Sequence, residues 1–157
     1  MNSNSFTTTI TVDQTPEQAF AAINNVRGWW SESIEGPTDT LGGEFIFKYE
    51  NIHTSTQKVT ELFPGRKVVW AVTDSALQFA DPKDEWTGTK IVFDIARKGK
   101  KTEVRFTHVG LVPDFACYGA CSKGWTHCIQ NCLQGFIATS KKQPALKRAG
   151  RTAERRA

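Results

Sequence analysis

A stripe of large side chains that survives three glycines is the strongest constraint on how this chain can fold. After Tyr118, apolar, aromatic or sulfur-bearing residues fall at Cys121, Trp125, Cys128, Ile129, Cys132, Leu133, Phe136 and Ile137. That is the spacing of one helix face. Gly119, Gly124 and Gly135 lie inside the stretch, and each weakens an isolated helix by up to about 1 kcal/mol relative to alanine. A helix so interrupted must be held by packing. The spacing therefore predicts a buried rod from about Phe115 to Thr139, with Trp125, Cys128, Cys132 and Phe136 inward and Gln130 and Gln134 outward.

The surface for that rod is supplied by segments of period two. Phe6, Thr8, Ile10 and Val12 alternate with threonines, a β-branched pattern that favours a strand. In "TPEQAFAAI" Thr15 can cap a helix, Pro16 suits its first position, and Gln18 completes a capping box. Phe20 and Ile23 can face inward from it, and "VRGWW" then begins a second short helix or turn. Phe45, Phe47 and Tyr49 share one face of the next strand. A run from about Thr54 to Leu62 leads to "FPGR", where Gly65 suits the positive φ of a type II turn. Further strands are predicted over Lys67–Thr73, Lys90–Ala96 and Thr102–Val109, with Asp74 to Trp86 read as a loop. An α+β fold buries both periodicities: a curved antiparallel sheet wrapped around a long C-terminal helix, with two short helices after the first strand. A curled sheet leaves room for a pocket beneath the helix.

With 157 residues, 39% of them apolar, the chain suits one domain with one core. The net charge of +4 belongs to the end of the chain. Lys141 to Ala157 carries seven basic residues against Glu154 alone, leaving 13 basic and 15 acidic residues in the rest. The expected organisation is one domain over residues 1–140 and a basic tail over 141–157. Such a tail attracts acidic polymers in a salt-sensitive way and implies no specific nucleic-acid partner. No apolar run approaches the roughly 20 residues of a membrane span, and Met1 to Ser5 is polar rather than a signal sequence. The chain reads as cytoplasmic, where its four cysteines are thiols by default.

Several pieces, in order and spacing, resemble the helix-grip fold of the START and Bet v 1-like (SRPBCC) superfamily. Within it they resemble the family related to the C-terminal domain of the Hsp90 ATPase activator. They are "TPEQAFAAI", the pair Trp29 and Trp30, "GGEF", "VTELFPGRKVVWAV", "WTGTKIVFDI", "TEVRFTHVGL", and "GW" with "CLQGF", spread over roughly Phe6 to Thr139. The resemblance implies a seven-stranded antiparallel sheet gripping the last helix, and a cavity that in relatives holds lipids, hormones, polyketides or aromatic compounds. A minority of that superfamily are enzymes, and the family likeness by itself carries no reaction.

Chemistry-bearing residues are few. Cys117, Cys121, Cys128 and Cys132 are spaced C-x3-C-x6-C-x3-C along one side of a rod. Four thiols so arranged cannot surround an ion, so they read as buried fillers and no metal or cofactor is expected. His108 continues the inward phase of Val104 and Phe106, and His53 that of Phe47 and Tyr49, while His127 falls at the rim. Asp81, Asp84 and Glu85 read as solvated loop charges, and Glu32 lies beside Trp30. No serine elbow, phosphate loop or HExxH motif is present, and no catalytic residue is assigned.

Aromatic supply is the positive signal. Cavity candidates are Trp29, Trp30, Phe45, Phe47 and Tyr49 from the first half, then Trp70, Phe79, Trp86 and Phe106, and finally Phe115, Tyr118 and Trp125. His53 and His108 join them as polar anchors. The expected role is binding of a small hydrophobic or aromatic molecule. Two alternatives stand beside it: a small cyclase- or hydrolase-like enzyme using a cavity histidine, and a protein-interaction module. The second, chaperone-cofactor-like or homodimeric, would use Trp29 and Trp30 if they are exposed.

Overall fold

A computed structural model describes residues 5–50, 52–78 and 83–141. Strand β1 (Phe6–Val12) runs into helix α1 (Pro16–Asn24) through the capping box read from the sequence. Gln18 N donates to Thr15 Oγ1 at 3.1 Å and Thr15 N to Gln18 Oε1 at 2.9 Å. The far end of α1 is closed by side chains of the following segment. Trp29 Nε1 donates to the Ile23 carbonyl and Thr38 Oγ1 to that of Asn24, satisfying two of the carbonyls that every helix end leaves over. A 3₁₀ turn over Val26–Gly28 lies between, placing both tryptophans under the sheet.

Strands β2 (Glu44–Tyr49), β3 (His53–Phe63), β4 (Lys67–Leu77), β5 (Lys90–Lys98) and β6 (Lys101–Val109) complete one antiparallel sheet in the order β1-β6-β5-β4-β3-β2. Gly65, at φ +72°, turns β3 into β4. Two expectations change here. Residues 74–77 belong to β4 rather than to a loop. A register shift at Thr56/Gln57 lets them go on pairing with β3, and the inward Ser75 hydroxyl finds Thr87 Oγ1 at 2.9 Å. The sheet has six named strands among the described residues, not seven. The remaining edge partner is a single bridge, Glu35 with Ile46. Gly36, at φ +101°, and Pro37, without an N–H, prevent it from lengthening.

The rod is three segments rather than one helix from Phe115. Helix α2 (Tyr118–Thr126) passes into a π-helical turn over His127–Leu133 and then into α3 (Gln134–Thr139). Trp125, Cys128, Cys132 and Phe136 are buried as expected. Gln130 and Gln134 lie over edge strand β1, donating to Thr8 Oγ1 at 2.6 Å and to the Thr11 carbonyl at 3.0 Å. Side-chain cover of this kind protects a sheet edge.

Between sheet and rod lies an aromatic layer. Trp29, Trp30 and Trp70 are stacked with centroids 6.1 to 6.5 Å apart, Phe45 and Phe93 pack edge-on against them, and Phe106 packs edge-on against Phe93. No helix among the described residues is long and apolar enough to cross a membrane. Phe79, Asp81 and the basic tail beyond Lys141 lie outside the described residues.

Candidate functional site

Small residues on α2 create a place where the aromatic layer does not fill the gap. Ala120 and Gly124 face β2 and β3, and a Cβ added at Gly124 would have no neighbour within 4 Å. The space left is a cavity of about 290 Å³. Trp30, Phe47, Tyr49, His53, Trp86 and Trp125 form its aromatic wall, and Ala120, Cys121, Gly124, His127 and Cys128 its helix side.

Six of the expected cavity residues therefore meet here. Trp29, Phe45, Trp70 and Phe106 are fully buried behind them as core. Phe115 and Tyr118 are half-buried and packed against that core. Trp29 and Trp30 form no exposed patch, being 0% and 3% exposed, because the Trp29 indole closes α1 and Trp30 stacks on Phe47 at 4.3 Å. Sequence reasoning missed the small residues, which mark a cavity only by what they lack, while His127 stands exposed at the rim where the sequence put it.

His108 is wholly buried and stands behind the wall, not in it. Trp125 Nε1 donates to its Nδ1 at 3.0 Å, so its proton sits on Nε2 and is donated to Thr89 Oγ1 at 2.8 Å. Thr89 in turn donates to the Trp86 carbonyl. Burial, with a smaller effect from His53, lowers the His108 pKa to about 3. The imidazole is neutral, has both nitrogens engaged and, among the described residues, meets no carboxylate. Its role is to fix Trp125 and the Trp86 turn, the two stacked indoles of the wall.

His53 is different. Its ring stands edge-on to Phe47 and Trp86 at 4.9 and 4.6 Å, while Nε2 is buried without a protein hydrogen-bond partner. Burial lowers its pKa to about 4, so it meets the cavity as a neutral imidazole. Among the described residues no acid lines the cavity. Glu32 lies in a separate surface cleft with Arg27 and Glu35. Glu85 is not a loosely solvated loop charge: it accepts from the backbone N–H groups of Ala116 at 2.7 Å and Cys117 at 3.0 Å. There it pins the start of α2, whose N-cap Cys117 makes no side-chain cap bond.

All four cysteines are buried and none is in a disulfide. The Cys117 thiol is pushed up, first by its hydrogen bond to Cys121 and then by burial, and that same bond draws Cys121 down. The Trp86 N–H lies outside hydrogen-bonding geometry with either sulfur, yet close enough to favour the thiolate. Burial holds the Cys128 thiol up at about 12. Among the described residues no three His, Cys, Asp or Glu side chains converge as a metal site.

Residues 13–137 match the family described as Activator of Hsp90 ATPase homolog 1-like protein. Among curated proteins no significant sequence match is found. Among solved structures, the chain is similar to the Aha1 dimer from Colwellia psychrerythraea, with TM-score 0.70 and 24% identity over 87% of this chain and 98% of that one. It is also similar to protein SSP2350 from Staphylococcus saprophyticus, with TM-score 0.66 and 15% identity over 90% and 98% of the two chains. A third likeness, to protein MLL2253 from Mesorhizobium loti, has TM-score 0.65 and 17% identity over 83% and 96%. At these identities the likeness is one of fold.

Proposed function

We propose that this chain, which belongs to the Activator of Hsp90 ATPase homolog 1-like protein family, binds a small hydrophobic or aromatic molecule in its cavity. One observation carries the reading: an aromatic-walled space of about 290 Å³ whose lining includes His53, a residue with a buried Nε2 that has no protein partner. Ligand sites run from about 300 Å³ upward and combine apolar walls with a few placed polar groups. The volume suits a ligand of one or two rings. His53 Nε2 would meet its single polar substituent, while Trp30, Trp86 and Trp125 supply ring faces and edges.

Titrating the protein with indole and with naphthol while following tryptophan emission tests this directly. Saturable one-to-one quenching is expected. Gly124→Leu should abolish it without unfolding the protein, because that position opens onto the cavity and a Cβ there meets no atom. Quenching that never saturates, or that survives Gly124→Leu unchanged, overturns the reading.

An enzymatic role for His108 has no support in its described surroundings, where both ring nitrogens are committed to Trp125 and Thr89. Self-association is favoured by one observation, that the similar Colwellia psychrerythraea protein is described as a dimer. A buried Trp29–Trp30 pair cannot be its contact surface. Light scattering across a hundredfold range of protein concentration decides it, and a constant monomer mass would reject a homodimer.

A further inference from the structure

The π turn creates a side-chain cluster that an α-helix would not. In an α-helix, residues i and i+5 lie well apart around the axis. The wider turn, closed by i→i+5 hydrogen bonds, brings them nearly over one another, and such turns are frequent at functional sites. Here residues i, i+4 and i+5 of the π segment are His127, Asn131 and Cys132. His127 Nε2 stands 3.6 Å from Cys132 Sγ, and its Nδ1 stands 3.1 Å from Asn131 Nδ2. The two ends of an amide exchange by a half-turn of the side chain. Turned so that Oδ1 accepts from Nδ1–H, Asn131 holds the ring in the tautomer whose Nε2 accepts the thiol proton, the thiol–imidazole–amide order of an activated cysteine.

We propose that His127, Asn131 and Cys132 form an activated thiol on the π turn, a modification site at which Cys132 exchanges with a low-molecular-weight disulfide. The Cys132 S–H proton passes to His127 Nε2, and the thiolate attacks one sulfur of the disulfide R–S–S–R. A new S–S bond forms to Cys132 as the old one breaks. The leaving thiolate takes the proton back from the imidazolium, so one thiol and one disulfide give one mixed disulfide and one small thiol. His127 and Asn131 are exposed, and Cys132, 7% exposed, lies just beneath them.

The groups around the pair are mostly neutral, and Cys132 is the thiol within reach of the His127 ring. β1, packed on the π turn, offers Thr8 and Ile10 on that side and no charge. Beyond Asn131 the charged groups are Asp13 and Lys101, paired to each other. Across the cavity from His127 stand Tyr49 and neutral His53. Cys128, on the same segment, is held as a thiol by burial. Cys121 is the competitor, but its hydrogen-bond partner is another thiol rather than a base.

The test is thiol exchange of the native full-length protein with dithiodipyridine and, separately, with oxidised glutathione, the modified peptide being mapped by mass spectrometry. One equivalent is expected to react first, on Cys132. Its rate–pH curve should extend at least one unit below that of an ordinary thiol of pKa about 8.5. His127→Gln should return it to the ordinary curve, a loss of about 10-fold or more near neutral pH, and Asn131→Ala should fall between. Cys132→Ala should remove the fast phase, with melting of each variant recorded alongside. Initial reaction on Cys121 or another cysteine overturns the assignment. So does a curve unmoved by His127→Gln, or joint reaction of all four thiols at the rate of unfolding.

Discussion

A buried imidazole that faces one donor and one acceptor has a single low-energy proton arrangement, and at His108 that arrangement locks two indoles of a cavity wall. Trp125→Phe keeps most of the ring but removes the donor to Nδ1. The expected cost is about 1–3 kcal/mol, that of stranding a buried acceptor, against about 3–5 kcal/mol for Trp125→Ala, which also opens a void. Chemical denaturation of the two variants measures both. Gln57 presents the reverse case. It is wholly buried between Phe45 and Val72 on the inner sheet face, and neither amide atom has a protein partner. Gln57→Met, similar in shape, is expected to raise the melting temperature by about 2–4 °C for each kcal/mol of polar burial relieved. The sequence signalled that His53 and His108 face inward, since strand alternation fixes a face. It carried no sign of which one the cavity reaches, because that depends on Trp86 and Thr89, brought alongside only by folding.

At the scale of elements, two glycines make opposite expectations. Gly124 sits mid-helix with open space where a side chain would go, so Gly124→Ala should stabilise the protein by up to about 1 kcal/mol through helix propensity alone. At Gly28 an added Cβ would lie 2.6 Å from the Phe136 ring. Gly28→Ala should cost about 1–3 kcal/mol, as overpacking does. Thermal melts of the pair read both signs in one experiment. The helical stripe was legible because burial repeats with the helix period. The π turn was not, because the same burial of Cys128, Ile129, Cys132 and Leu133 also fits an α-helix. Backbone hydrogen bonding, not the apolar pattern, separates the two. Likewise residues 74–77 look loop-like in isolation, and only the shifted register and the Thr87 hydroxyl make them strand.

For the whole molecule, two neutral buried histidines give stability a definite pH dependence. Folding lowers their pKa values from 6.5 to about 4 for His53 and about 3 for His108. The unfolded chain therefore binds these protons at higher pH than the native one. The stabilisation is fully present above about pH 6.5 and declines as pH falls toward 4, by up to about 1.4 kcal/mol per pH unit for each histidine. Melting temperature recorded from pH 7.5 down to 4.5 should fall along that limb, and His53→Gln should make the limb shallower. A flat profile in the wild type would contradict the buried neutral state. The sheet and the gripped rod were legible beforehand, since alternation, capping and turn chemistry act locally, and the family likeness was carried by motifs such as "VTELFPGRKVVWAV". The aromatic surplus, read as cavity lining, divides into core and wall according to where α2 has no side chains to offer. The same aromatic layer has an optical consequence. Trp29, Trp30, Trp70, Trp86 and Trp125 form one unbroken chain of neighbouring rings. Excitation absorbed by any of them migrates among all five before it is emitted. The protein should glow as a single chromophore, and an occupant touching only Trp86 should dim the whole of it.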